Sequence, residues 1–209
     1  MSKEKHETAE GILYFDSKKC IHSRNCVLKR PDVFVPNIEG EWIHPENANR
    51  SELITLSENC PSGAIEFHPY DSKPSYPLVN TLHIRENGSY AIKANINIDG
   101  ESEQRLTLCR CGASKSKPLC DGSHSKVGFL ATGEPKKKGS EPLNNRNGEV
   151  HVEPQKNGPL KLDGNLEICS GTGRTVNRVD QIFLCRCGAS KNKPYCDGSH
   201  VAINFLSDE

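Results

Sequence analysis

Residues 109–124 read CRCGASKSKPLCDGSH, and residues 185–200 read CRCGASKNKPYCDGSH. The copies differ only at Ser116/Asn192 and Leu119/Tyr195. Loops drift apart between repeats unless something holds each position, and the positions held here include three cysteines and a histidine. The shared pattern is C-x-C-x8-C-x3-H, which supplies Cys109, Cys111, Cys120 and His124 in one copy and Cys185, Cys187, Cys196 and His200 in the other.

Upstream, residues 79–98 and 149–168 align without a gap and share Asn-Gly at 87–88 and 157–158, a hairpin signal. After the turn, Ile92, Ala94, Ile96 and Ile98 alternate with polar residues, as do Leu160, Leu162, Leu166 and Ile168 around Gly164. That is the period of a half-buried strand. The next strands, RLTLC and QIFLC, carry the first cysteine of each motif, and Phe129 and Phe205 close the copies five residues after the histidines.

Residues two apart on an extended strand face the same way, so Cys109 and Cys111 present their sulfurs together, as do Cys185 and Cys187. Cys120 and His124 are four apart, as are Cys196 and His200, which on a helix shares one face. Asp121 and Asp197 are placed to cap that helix, whose amide-rich start favours an anionic cofactor. These donors leave two readings open. A Cys3His zinc site is one, although zinc modules usually space paired cysteines more widely. A 2Fe-2S cluster is the other, with one donor pair for each iron.

The chain has 209 residues and is 34% hydrophobic, which favours small, separately stabilised modules over one large core. Lys plus Arg equals Asp plus Glu at 27 each, so no overall field favours nucleic acid or an anionic membrane. The apolar runs fall far short of the ~20 residues that cross a bilayer. The start, MSKEKHETAE, lacks a signal-peptide core, and a cytoplasmic location is expected. Ten cysteines in that setting point to metal ligation rather than disulfides.

Residues 1–10 read as a disordered tail. Residues 11–68 read as an α+β module in the order βαβαβ: ILYFD a strand, a short helix after Cys20, EWIHP a strand, RSELITLSEN a helix opened by Ser51 or Asn49, and AIEFH a strand. Residues 69–78 read as a proline-bearing linker, 79–130 as the first repeat, 131–148 as a second linker and 149–209 as the second repeat. Lys136, Lys137 and Lys138 read as a solvated turn.

The N-terminal cysteines form a second pattern. A bacterial ferredoxin run is C-x2-C-x2-C with a later C-P. Here CIHSRNC keeps Cys20 and Cys26 but places Ser23 between them, and Cys60-Pro61 supplies the C-P. Three cysteines suit a 3Fe-4S cluster, whereas a 4Fe-4S cluster needs a further donor from Ser23, His22 or outside the chain. Three unligated thiols are the plain alternative. Cys169 reads as a structural thiol, and His6, His44, His68, His83 and His151 form no constellation. No nucleophile–base pairing or phosphate-binding glycine loop is legible, so the chain is read as a non-enzyme.

Both sixteen-residue stretches resemble the CDGSH iron–sulfur domain of the NEET family, C-x-C-x2-S-x3-P-x-C-D-G-S-H, including Ser114, Pro118 and Asp121 in one copy and Ser190, Pro194 and Asp197 in the other. The resemblance implies a 2Fe-2S cluster on each set of three Cys and one His, with those six residues shaping the cofactor site. It also implies the tandem type, in which two motifs in one chain build a pseudo-twofold β-rich scaffold, a monomer with an internal pseudo-dimer. Residues 11–68 resemble the divergent single-cluster ferredoxin-like domain that accompanies such motifs. The function implied is single-electron transfer between protein partners, with cluster storage or transfer to acceptor proteins, or redox and pH sensing, as alternatives. Zinc implies an interaction module instead.

A three-thiolate, one-imidazole site carries about one negative charge less than a four-thiolate site and accepts an electron more easily. Arg110, Lys115, Lys117, Arg186, Lys191 and Lys193 strengthen that effect if they face the cluster, and otherwise only solvate the loops. His124→Cys and His200→Cys are expected to lower the midpoint potentials of their sites in a redox titration. Potentials that stay put contradict the charge argument.

Overall fold

The computed structural model describes residues 3–72 and 75–207. Residues 1–2 of the expected tail, 73–74 of the first linker and 208–209 of the second repeat lie outside the described residues. Two compact units divide the chain, Met1–Ser75 and Tyr76–Glu209.

The first unit is a three-stranded antiparallel sheet, ordered β1-β2-β3, from β1 (Glu4–Glu7), β2 (Gly11–Phe15) and β3 (Ile65–Pro69), with helices α1 (Asn25–Lys29) and α2 (Arg50–Asn59). Glu4–Glu7 pairs with β2 through a tight turn, so this part of the expected tail is a strand. Thr8 makes the turn, since its backbone N–H donates to the Gly11 carbonyl at 2.9 Å and its hydroxyl accepts from Gly11 N. Helix α2 opens with a capping box: Asn49 Oδ1 accepts from Glu52 N at 3.1 Å, and Glu52 Oε2 accepts from Asn49 N at 2.9 Å. It ends at Cys60, because Pro61 cannot continue it.

The expected middle strand at EWIHP is absent. Ile43 makes one bridge to Phe34, and Pro45–Asn47 turns away as a 3-10 turn. The segment's backbone bonds go to residues 33–35 instead, His44 N to Val33 O at 2.8 Å and Val35 N to Trp42 O at 2.9 Å. Trp42 instead packs its ring on Phe15 and Phe34, with centroids 5.0 and 5.8 Å apart. The order is therefore ββααβ rather than βαβαβ.

In the second unit, β4 (Thr81–Ile84), β5 (Tyr90–Ile98) and β6 (Glu101–Leu108) come from the first repeat, and β7 (Glu149–Pro154), β8 (Leu160–Cys169) and β9 (Thr175–Leu184) from the second. The hairpins form where Asn-Gly predicts them. Each short first strand pairs antiparallel with its own long strand and parallel with the long strand of the other repeat: β4 with β5 and β8, β7 with β8 and β5. The apolar alternation faces one shared core, in which Ile92, Ala94, Ile96, Leu160, Leu162, Leu166 and Ile168 are all buried. The register shifts at Lys93/Ile96 and Asp163/Leu166 fall at equivalent positions. Gly164 sits in the second shift with φ +133°, and a Cβ there would collide with the Glu149 carbonyl.

The second linker has no strand but is fastened along its length. Arg146 O accepts from Asn80 N, Gly133 O from Gly171 N, and Lys138 N donates to Val176 O, all at 2.7–2.8 Å. Lys138 Nζ lies 3.5 Å from the centroid of the Tyr195 ring, so it is more than a solvated turn residue.

Asn80 ties the repeats together. Fully buried, it donates from Nδ2 to the carbonyls of Gly148 and Asn165, at 3.0 and 2.9 Å, and its own carbonyl accepts from Glu167 N. Asn80→Ala leaves two carbonyls without this partner and is expected to cost about 1–3 kcal/mol, read as a lower denaturation midpoint. An unchanged midpoint assigns the tie to the strand ladders alone.

Candidate metal centres

Each ligand loop is built by folding back on the strand that leads into it. Cys109 N donates to Pro118 O and Cys120 N to Thr107 O, both at 2.8 Å, and the second copy repeats this with Cys185 N to Pro194 O and Cys196 N to Phe183 O. The fold-back sets the third cysteine beside the first. Ser114 Oγ donates to Leu119 O and accepts from Ser116 N, and Ser190 does the same with Tyr195 O and Asn192 N. The turn runs through the cis peptides Lys117–Pro118 and Lys193–Pro194.

Asp121 lies one place earlier than a cap. The short helix α3 (Ser123–Lys126) starts after Gly122, and Asp121 accepts from Ser123 N with one oxygen and from Lys115 N with the other, both at 2.9 Å. Asp197 holds Ser199 N and Lys191 N ahead of α4 (Ser199–Ala202) in the same way. Burial works to raise the Asp121 carboxyl, but these donors outweigh it and hold it at about 2. Ser114, Asp121 and their counterparts thus brace the loop through its own backbone. Cys120 and Cys196 precede the helices, so an αL glycine rather than a helical face brings each beside its histidine.

The donors stand in pairs. Cys109 Sγ is 3.8 Å from Cys111 Sγ, and Cys120 Sγ is 3.4 Å from His124 Nδ1. In the second copy the distances are 3.7 Å for Cys185–Cys187 and 3.4 Å for Cys196–His200. Within each sulfur pair the hydrogen bond from one thiol draws the other, Cys109 or Cys185, below its usual range, and the donating Cys111 or Cys187 is pushed up. Backbone amides also point at sulfur, Ala113 N at Cys111 and Gly122 N at Cys120, each at 3.4 Å. Three soft sulfurs, one imidazole and inward N–H donors fit an iron–sulfur cluster. Among the described residues no three His, Cys, Asp or Glu side chains meet around one point.

The two loops adjoin. Cys111 and Cys187 form an antiparallel bridge, and Gly112 and Gly188, with φ of +81° and +80°, leave room for the opposing backbone. A Cβ on Gly112 would lie 2.7 Å from Cys187 O.

Arg110 neither faces solvent nor lies among the donors. It is 1% exposed, donates to the carbonyls of Arg85, Ala131 and Thr132, and lies 5.7 Å from the ring centroids of both Tyr90 and Phe129. Arg186 donates to Gly158 and Gln155 carbonyls and stacks near Phe205. The signal for this was in C-R-C itself, since the residue between two same-facing ligands points the other way. Tyr90 escaped sequence reasoning: its hydroxyl donates toward Cys185 O at 2.8 Å and Pro194 O at 3.0 Å, bracing the other repeat's loop.

In the first unit, Cys20 follows β2, Cys26 lies in α1 and Cys60 ends α2. All three line a cavity of about 490 Å³ walled by Phe15, Trp42 and Ile65, and His22 and Ser23 line it too. Ile65 N donates to Cys60 Sγ at 3.4 Å. Burial pushes the Cys20 and Cys26 thiols up. Three cysteines from three elements facing one cavity also fit a cluster. Cys169 ends β8 with its thiol toward Glu167 O, as a structural thiol does.

Residues 87–125 and 157–201 match the family described as iron-binding zinc finger CDGSH type, and residues 8–68 match the divergent 4Fe-4S mono-cluster family. These matches make two segments CDGSH-type iron-binding motifs. Two motifs follow a divergent 4Fe-4S domain, and iron–sulfur binding is the property of both kinds of domain. The uncharacterized protein YjdI of Escherichia coli (strain K12) is 34% identical over 62 residues, 29% of this chain and 79% of that protein. A CDGSH iron-sulfur domain-containing protein 2 homolog of Drosophila virilis is 57% identical over 28 residues, 13% of this chain and 21% of that protein. No helix among the described residues is long and apolar enough to cross a membrane.

Cys26→Ser is expected to remove the iron bound by the first unit while the other sites keep theirs. Iron and acid-labile sulfide counts decide it, and an unchanged count excludes Cys26 as a ligand.

Proposed function

We propose that the protein is a one-electron carrier with three clusters. Cys109, Cys111, Cys120 and His124 hold one 2Fe-2S cluster, and Cys185, Cys187, Cys196 and His200 a second. Cys20, Cys26 and Cys60 hold a 3Fe-4S or 4Fe-4S cluster. When bound, such clusters take up and release single electrons.

The observation that carries this reading is the backbone bridge between Cys111 and Cys187. It seats one ligand of each site on adjacent strands, the arrangement a relay needs and a pair of independent stores does not. The pairing of donors within each loop favours a two-iron core over a single zinc ion. The strand exchange between repeats supports a monomer that contains its own pseudo-dimer. On this reading the partners are redox proteins, in the cytoplasm, with no nucleic acid or membrane involved, and the protein is not an enzyme.

A second reading, storage or donation of 2Fe-2S units to acceptor proteins, has one observation in its favour: Cys196 and His200 are both partly exposed, a corner from which a cluster can leave. Anaerobically purified protein is expected to contain about seven or eight irons and to cycle reversibly in an EPR-monitored redox titration without losing sulfide. Intact transfer to an apo-ferredoxin, with no reversible cycling, replaces the carrier reading with the donor one. A colourless, sulfide-free protein with one zinc per motif ends both.

A further inference from the structure

The two ligand loops are near copies, but the second is held by side chains from elsewhere in the chain. The ties converge on Pro194 and Tyr195, the two residues ahead of Cys196.

The first tie comes from the other repeat. Tyr90, fully buried at the start of β5, donates its hydroxyl toward the carbonyls of Cys185 and Pro194, 2.8 and 3.0 Å away. Cys185 opens the second ligand set, and Pro194 O also accepts from Cys185 N where the loop folds back. One hydroxyl therefore fastens both legs of the fold-back at the point where it closes. The aligned residue of the second hairpin is Leu160, equally buried, which has no polar side-chain atom to offer Cys109 or Pro118.

Two further ties fall on Tyr195, one of the two positions at which the sixteen-residue copies differ. Asn177 Nδ2 in β9 donates to the Tyr195 hydroxyl at 3.2 Å, and Lys138 Nζ in the linker lies 3.5 Å from its ring centroid. Lys138 N donates to Val176 O, which seats the lysine beside Asn177. Leu119, the counterpart of Tyr195, has neither ring nor hydroxyl. The first loop keeps the bonds common to both copies, from Cys109 N, Cys120 N, Ser114 and Asp121. The added ties leave the Cys196 and His200 corner partly exposed, and act instead on the buried side of the loop, where Cys185 is 2% exposed.

Groups that hold ligands in place from behind commonly change affinity by about 10–100-fold when removed, because the donors then lose their common geometry. We propose that Tyr90 is a positioning residue for the second site alone, supplied across the repeat boundary, and that Tyr195 with Lys138 completes the clamp. This inference rests on the cluster assignment above. Retention of the second cluster then depends on a side chain of the first repeat, whereas Leu160 gives the first cluster no such dependence on the second.

The test follows loss of the 2Fe-2S EPR signal from the full chain under excess chelator, with one site disabled at a time by Cys120→Ser or Cys196→Ser. Tyr90→Phe removes one oxygen and keeps the ring near Arg110. It should shorten the lifetime of the second cluster about tenfold and leave that of the first unchanged. Tyr195→Leu, which installs the residue of the first copy, should also shorten the second lifetime alone, and Lys138→Met, at the surface, should do so about threefold. If Tyr90→Phe does not fold, these two variants decide. A merely structural role shortens both lifetimes together and lowers the denaturation midpoint of the cluster-free chain. An unchanged second lifetime, or equal shortening at both sites, overturns this inference and leaves the cluster assignment standing. Motifs that hold no sulfide overturn both.

Discussion

Strands β4 and β7 are four and six residues long, and neither repeat can close a core with its own three strands. Each short strand gains its second partner from the other repeat, so the central constraint on this protein is an exchange of backbone pairing between two copies of one motif. The apolar faces of β5 and β8 have no other place to bury, and they bury against each other. The ligand loops adjoin as a consequence. Once β5 and β8 are locked by the exchanged strands, β6 and β9 deliver their cysteines to the same end, where Cys111 and Cys187 pair.

This arrangement explains why the sixteen-residue stretch tolerates so little change between copies. A glycine is required at 112 and 188 because the opposing ligand strand passes where a side chain would be. Arginine at 110 and 186 lets one buried guanidinium donate to three loop carbonyls in the first copy and to two hairpin carbonyls in the second. Serine at 114 and 190, with aspartate at 121 and 197, ties a loop that has no regular secondary structure of its own. The side chains between the ligands thus act on the backbone, and the backbone places the sulfurs.

What was legible in the sequence follows from how local its cause is. Asn-Gly turns, period-two alternation and the Asn49 cap act over a few residues, and they predicted β5, β8 and α2 closely. The EWIHP strand failed for a non-local reason: its backbone pairs with residues 33–35 through a single bridge and not with the sheet. The Glu4–Glu7 strand failed because a polar edge strand carries no hydrophobic signature, and its partner supplies the ladder. Spacing anticipated which donors stand in pairs, whereas Tyr90 lay beyond it, since its contact with Cys185 spans 95 residues of sequence.

Duplication also frees each copy to specialise where the scaffold permits. Core positions in the two repeats answer to one shared packing problem, whereas the Asn-Gly turns differ between them at Arg85/Gln155 and Ser89/Pro159. Tyr90 braces the second loop, whereas its counterpart Leu160 offers no hydroxyl to the first. Two sites from one motif become chemically distinct through neighbours that the motif does not contain. The same internal symmetry that builds the scaffold makes each such difference readable, because every departure at one site has its unmodified counterpart in the same molecule.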